Sequence, residues 1–116
     1  MDEKILKWLY DIKLAIEEVD SYFDERERNF FEYQENVMLK RAVERDLEIV
    51  GEAINRILKR DENFIEQISN ARSIIGLRNQ VIHAYDNISD ENIWSVLTTH
   101  LPKLKKEIDD LIQKNN

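Results

Sequence analysis

A chain of 116 residues with only two glycines and one proline has almost no material for tight turns. Glycine supplies positive φ and proline presets the corner of a turn, and average chains hold about 7% of the first and about 5% of the second. Long helices joined by short connections are what remains. The length is that of one domain, 1–116, which buries about two thirds of the surface that the unfolded chain exposes and so folds without staples. The absence of cysteine excludes disulfides, Cys-ligated zinc and thiol nucleophiles, and fits a reducing compartment.

Apolar spacing places the helices. Ile5, Trp8, Leu9, Ile12, Ala15, Ile16, Val19 and Phe23 recur at intervals of three and four, which predicts a first helix over residues 2–23 with Trp8 in the core. Tyr33, Val37, Ala42, Val43, Leu47, Val50, Ala53, Ile54 and Ile57 predict one long second helix over 31–60. Gly51 in its middle costs about 1 kcal/mol relative to alanine, so a close helix crossing is expected there. Asp61 is placed to cap a short helix over 62–68, and a further helix covers 71–85. Ser89 followed by Asp90 and Glu91 reads as an N-cap with acidic residues on the favourable end of the helix dipole. The last helix that it opens carries Ile93, Trp94, Val96, Leu97, Leu101, Leu104, Ile108, Leu111 and Ile112 on its apolar face, with Trp94 in the core. Pro102 removes a backbone donor and predicts a kink near Thr99–Leu101. The sum is an all-α fold, an antiparallel bundle of four long helices plus a short extra helix.

Charged residues make up 35% of the chain and mix both signs, as solvated helix surfaces do. The net charge of −7 argues against a general nucleic-acid binder, because phosphate contacts require concentrated Lys and Arg. Residues 71–116 nevertheless carry six basic and six acidic side chains, so a local positive site is open there. No run approaches the roughly 20 apolar residues of a membrane span, and Met1-Asp2-Glu3-Lys4 is too acidic to begin a signal peptide. A cytoplasmic protein without membrane contact is expected.

The stretch richest in chemistry is Arg78-Asn79-Gln80-Val81-Ile82-His83-Ala84-Tyr85, which reads R-N-x3-H-x-Y. With Arg78 at zero on an ideal helix, Asn79 falls at about 100 degrees, His83 at about 140 and Tyr85 at about 340, while Ile74, Leu77, Val81 and Ala84 take the opposite, core-facing side. Asn79 and His83 are an i,i+4 pair in which the amide can fix the imidazole's orientation. Arg78 can reach the same point and bind a phosphate through its planar fork. His83 exchanges protons near neutral pH. An arginine and a histidine base, with no metal, are the parts needed to cleave RNA at its own 2'-hydroxyl. A structural reading stands beside this one: His83 caps or packs, Tyr85 is a half-buried helix residue, His100 is structural, and Lys103, Lys105 and Lys106 form a solvated face or steer RNA.

This stretch resembles the HEPN superfamily, and within it the HepT-like ribonuclease toxins. Arg45-Asp46-Leu47-Glu48-Ile49-Val50-Gly51-Glu52-Ala53 is similar to the family's second-helix run, and Ile74-Ile75-Gly76-Leu77-Arg78-Asn79 to its approach to the motif. The likeness continues through Asn92-Ile93-Trp94 and Leu101-Pro102-Lys103-Leu104, and so spans residues 40–112. Ser69-Asn70-Ala71-Arg72-Ser73 departs from the Pro-Trp that the family often has before its Ile-Gly run.

The resemblance implies a homodimer with two motifs facing a shared cleft, an endoribonuclease using Arg78 and His83 with Asn79 in support, and no cofactor for RNA cleavage. It also implies an MntA-like nucleotidyltransferase antitoxin that uses ATP and Mg to transfer AMP to Tyr85. The competing reading is a non-catalytic helical subunit that binds such a nucleotidyltransferase and its nucleotide or substrate.

Overall fold

The computed structural model describes residues 2–23, 28–83 and 89–114, apart from the side chains of Gln80, Ile82 and His83. Helix α1 spans Glu3–Phe23, and the Asp2 carboxylate caps it by accepting from the amides of Lys4 (2.8 Å) and Ile5 (3.2 Å). Its apolar stripe, Ile5, Leu9, Ile12, Ile16 and Val19, is buried throughout. Trp8 differs from the expectation: it lies on the rim of the stripe, half-buried, with part of its ring open to the surface.

The expected single helix over 31–60 is two. Helix α2 covers Phe30–Glu35 and α3 covers Val37–Arg60, with Asn36 in extended conformation closing the first and capping the second. Its side-chain oxygen accepts from the Leu39 amide at 3.0 Å, and Asn29 caps α2 in the same way through Glu32 at 3.2 Å. An asparagine able to satisfy an orphan amide gives the backbone an alternative to continuing the helix, and here that alternative wins. The break turns α2 so that Tyr33 is buried and its ring sits 5.4 Å from that of Trp94, while Phe31, Val37 and Met38 stay exposed. Trp94 is thus partly buried at the centre of an aromatic cluster that also holds Phe23 (6.0 Å) and Phe30 (5.7 Å). Burial and the neighbouring Glu44 and Asp90 push the Tyr33 hydroxyl well above its usual range.

After α3, Asp61 caps a single 3-10 segment, Glu62–Glu66, shorter than the helix expected over 62–68. Asn70, at φ 60, makes the turn into α4, Ala71–His83; asparagine tolerates this left-handed conformation better than most side chains. Ser89 caps α5, Asp90–Ser95, by accepting from the Asn92 amide at 3.1 Å. A π-helical turn over Val96–His100 then leads into α6, Leu101–Lys114. The disturbance expected around Pro102 therefore takes the form of a widened turn: the Leu101 amide donates to Val96, five residues back.

Ion pairs and one side-chain hydrogen bond give the directions of the long helices. Asp2 meets Arg60 at 2.9 Å, and the Tyr22 hydroxyl meets Asp46 at 2.6 Å, so α1 and α3 run antiparallel. Lys13 with Asp109 and Lys105 with Asp20 set α6 antiparallel to α1. Helix α4 packs on α3, and the described part is an all-α domain of four long helices, α1, α3, α4 and α6. No helix among the described residues is long and apolar enough to cross a membrane.

One buried polar group breaks the apolar interior of the α1/α3 seam. The Tyr22 hydroxyl lies 2.6 Å from Asp46 and 2.7 Å from Glu18, but it has one proton to donate. Burial, with Glu18 adding to it against the lowering hydrogen bond from Tyr22, raises the Asp46 carboxyl above its ordinary range.

Candidate active site

Helix α4 delivers the motif, and its position is decided at Gly51. A Cβ added there would land on the Cβ of Arg78 and lie 3.0 Å from its Cγ and 3.2 Å from the Ile74 carbonyl oxygen. Only glycine lets the two helices approach this closely, and the crossing expected at Gly51 is present. Ile74, Leu77 and Val81 enter the core as the helical spacing predicts.

Arg78 does not project freely in front of α4. Its stem lies across Gly51, and its guanidinium is held on two sides: NH2 is 2.5 Å from Glu52 Oε2, and NH1 donates to Asn79 Oδ1 at 2.9 Å. The side chain is 23% exposed, and its Nε is buried without a hydrogen-bond partner among the described residues. A guanidinium held this way is oriented in advance by its two neighbours. Asn79 is exposed and accepts from Arg78, a contact that the i,i+4 reading toward His83 did not foresee. His83 is the last described residue of α4, five residues and about 140 degrees around the helix from Arg78; its side chain, and Ala84 and Tyr85 altogether, lie outside the described residues.

Glu52 is the residue that reading the sequence for chemistry missed. Its Oε1 accepts from Arg56 Nε at 3.0 Å while Oε2 faces Arg78, so one carboxylate holds two guanidinium groups side by side. A hollow of about 220 Å³ opens on this pair, lined also by Trp8, Asp11, Arg45 and Glu48. The signal available in the sequence was Gly51 itself, since the residue after a close-approach glycine sits at the crossing. His100 lies away from this group, 3.2 Å from the Asn70 amide nitrogen. No cluster of three His, Asp or Glu side chains able to hold a metal ion occurs among the described residues.

A ribonuclease HepT-like family model matches residues 12–111 of the chain. The chain belongs to the HepT-like ribonuclease family. Among curated relatives, this HepT-like chain is 36% identical over 104 residues to a candidate RNase of Methanocaldococcus jannaschii, covering 88% of this chain and 91% of the relative. It is 32% identical over 88 residues to a candidate RNase of Caldanaerobacter subterraneus subsp. tengcongensis, covering 74% and 76%. No solved structure is significantly similar to it. The resemblance read from residues 40–112 thus extends over most of the HepT-like chain, and the departure at Ser69–Ser73 falls where Asn70 makes the turn into α4.

Proposed function

We propose that the protein is a metal-independent endoribonuclease in which His83 removes the 2'-hydroxyl proton of RNA and Arg78 stabilises the attacked phosphate. The 2'-oxygen forms a bond to the adjacent phosphorus as the bond from phosphorus to the 5'-oxygen breaks. His83 takes the proton of the first oxygen, and a second acid supplies one to the leaving oxygen. The products are a 2',3'-cyclic phosphate and a 5'-hydroxyl. The observation that carries the reading is Arg78 fixed by Glu52 and Asn79 at the Gly51 crossing, on the helix that carries His83. A homodimer bringing two such helices to one cleft is the source we propose for the missing acid.

The biological setting we propose is a toxin-antitoxin pair. An MntA-like nucleotidyltransferase using ATP and Mg transfers AMP to Tyr85, two residues from His83, and the added phosphate competes for Arg78. The HepT-like family match and the R-N-x3-H-x-Y spacing support this setting.

The test is cleavage of end-labelled RNA by protein shown by mass to carry no AMP, in EDTA, with product ends identified. Removing a base or a charged transition-state contact costs about 10²- to 10³-fold, so His83→Ala and Arg78→Ala should each abolish measurable cleavage. Full activity in either variant refutes the assignment of that residue. Absence of cleavage in the parent points to the non-catalytic subunit that binds the nucleotidyltransferase.

A further inference from the structure

The hollow beside Arg78 is only half of a longer feature. Trp8, on α1, borders it on one side and on its other side borders a second, shallower hollow of about 430 Å³ shared with Arg56, Lys59 and Arg60. Trp8 and Arg56 are common to both, so together they form a ridge with an opening on either flank. On α3, residues 45, 49, 52, 56 and 60 follow one another at the three- and four-residue steps of a single face, which turns Arg45, Arg56 and Arg60 the same way. Arg45, Arg56, Lys59, Arg60 and Arg78 gather along this strip among the carboxylates of Asp11, Glu48 and Glu52, with Arg45 paired to Glu48, Arg60 to Asp2, and Arg56 and Arg78 to Glu52.

The chemistry of the strip fits an unpaired nucleotide. Trp8 is half-buried and lines both hollows beside guanidinium groups; an aromatic ring next to arginines is the composition of platforms on which single-stranded bases stack, and such stacking is indifferent to sequence because every base has a π face. Arg56 is 55% exposed, and its link to Glu52 is a solvent-screened i,i+4 pair, which a phosphate can share or replace. Lys59 has no ion-pair partner among the described residues. The hollow of about 220 Å³ is smaller than the roughly 300 Å³ at which clefts for drug-sized ligands begin, so it suits one planar group. Bases within a duplex are already stacked on their neighbours, whereas unpaired bases are free to stack on an aromatic side chain.

We infer that the Trp8–Arg56 ridge is a subsite for one unpaired nucleotide next to the bond that is cut, with its base on the Trp8 indole and its phosphate on Arg56 and Lys59. The inference rests on the ribonuclease reading for its ligand. Glu52, holding Arg56 and Arg78 on its two oxygens, keeps this subsite and the phosphate site one carboxylate apart. The subsite makes single-stranded RNA the substrate class.

The experiment reads binding apart from cleavage. In a Trp94→Phe background, Trp8 is the sole tryptophan, and its emission is followed while a short single-stranded 2'-O-methyl oligoribonucleotide, which cannot undergo 2'-OH attack, is added to unmodified protein. The expected result is quenching that weakens with salt, about tenfold weaker binding in Arg56→Ala and in Trp8→Ala, and little binding of the same sequence as a duplex. Circular dichroism confirms that the variants are folded, and Arg56→Ala, at an exposed position, carries the test should Trp8→Ala unfold. If RNA is cleaved by the parent yet Trp8 emission is unchanged and Arg56→Ala binds as the parent does, the subsite is refuted and the nuclease reading stands. Quenching without any cleavage by the parent keeps the subsite and refutes the nuclease. Neither binding nor cleavage overturns both.

Discussion

The two glycines make a matched pair of experiments on the same chemical change. Both lie inside helices, so Gly→Ala at either gains about 1 kcal/mol of helix propensity. At Gly76 an added Cβ meets nothing within 4 Å, and that gain should appear whole, raising the melting temperature by about 4 °C for a domain of this size. At Gly51 the methyl group falls on the Arg78 Cβ and crowds the Ile74 carbonyl, both anchored to backbone, so α3 and α4 must separate. Overpacking of this kind costs about 1–3 kcal/mol, and because no flexible chain end can yield, the upper half of that range applies. Net destabilisation of about 1–2 kcal/mol, a fall of about 4–8 °C, is expected from thermal or urea unfolding. Cleavage should fall further, by about a hundredfold, since separation of α3 and α4 displaces Arg78 from Glu52. A Gly51→Ala protein as stable as the parent, with Gly76→Ala no better, would refute the reasoning that the crossing needs glycine.

Two further outcomes are expected. Asp46 has its folded-state pKa raised, so its contribution to stability is fully present below its unfolded value of about 3.8 and is lost as pH rises through the folded value. Asp46→Asn should therefore be more stable than the parent at neutral pH, with the difference closing toward pH 4 in urea unfolding; a difference that does not change with pH sinks the idea. Asn36→Ala removes the cap that accepts from Leu39 and should cost about 1 kcal/mol, whereas Asn36→Asp keeps an oxygen there and should cost little. Equal melting temperatures for the two variants would show that the break between α2 and α3 does not depend on this side chain.

The long helices were legible because their apolar stripes are uninterrupted: Ile5 to Phe23 and Val43 to Ile57 bury as spaced. The break at Asn36 was not, because Tyr33 and Val37 keep helical spacing across it, although Val37 ends up exposed. Only the capping chemistry of an asparagine three residues before Leu39 could have announced it. Periodicity also places Trp8 on the stripe without telling its centre from its rim. In the site, Gly51 announced the crossing and the motif supplied Arg78, but a helical wheel fixes where a Cβ points, not where a long side chain lies. The turn of Arg78 toward Glu52 is a tertiary pairing between helices, which no local pattern encodes.

The widened turn at Val96–His100 has its own consequence. Ile93, Leu97 and Leu101 are all fully or nearly fully buried at steps of four, although each such step on an ideal α-helix overshoots a full turn by about 40 degrees. The turn with one extra residue absorbs the overshoot and keeps α6 in phase with the core, and it also draws the helix away from the clash that Pro102 would otherwise make with the Thr98 carbonyl. The segment therefore holds a spare residue: taking one out of 96–100, together with Pro102→Ala, would restore ordinary helix without turning the apolar face of α6 to solvent. Tolerance of a length change, usually a property of loops, is built here into the middle of a helical segment whose apolar face is buried.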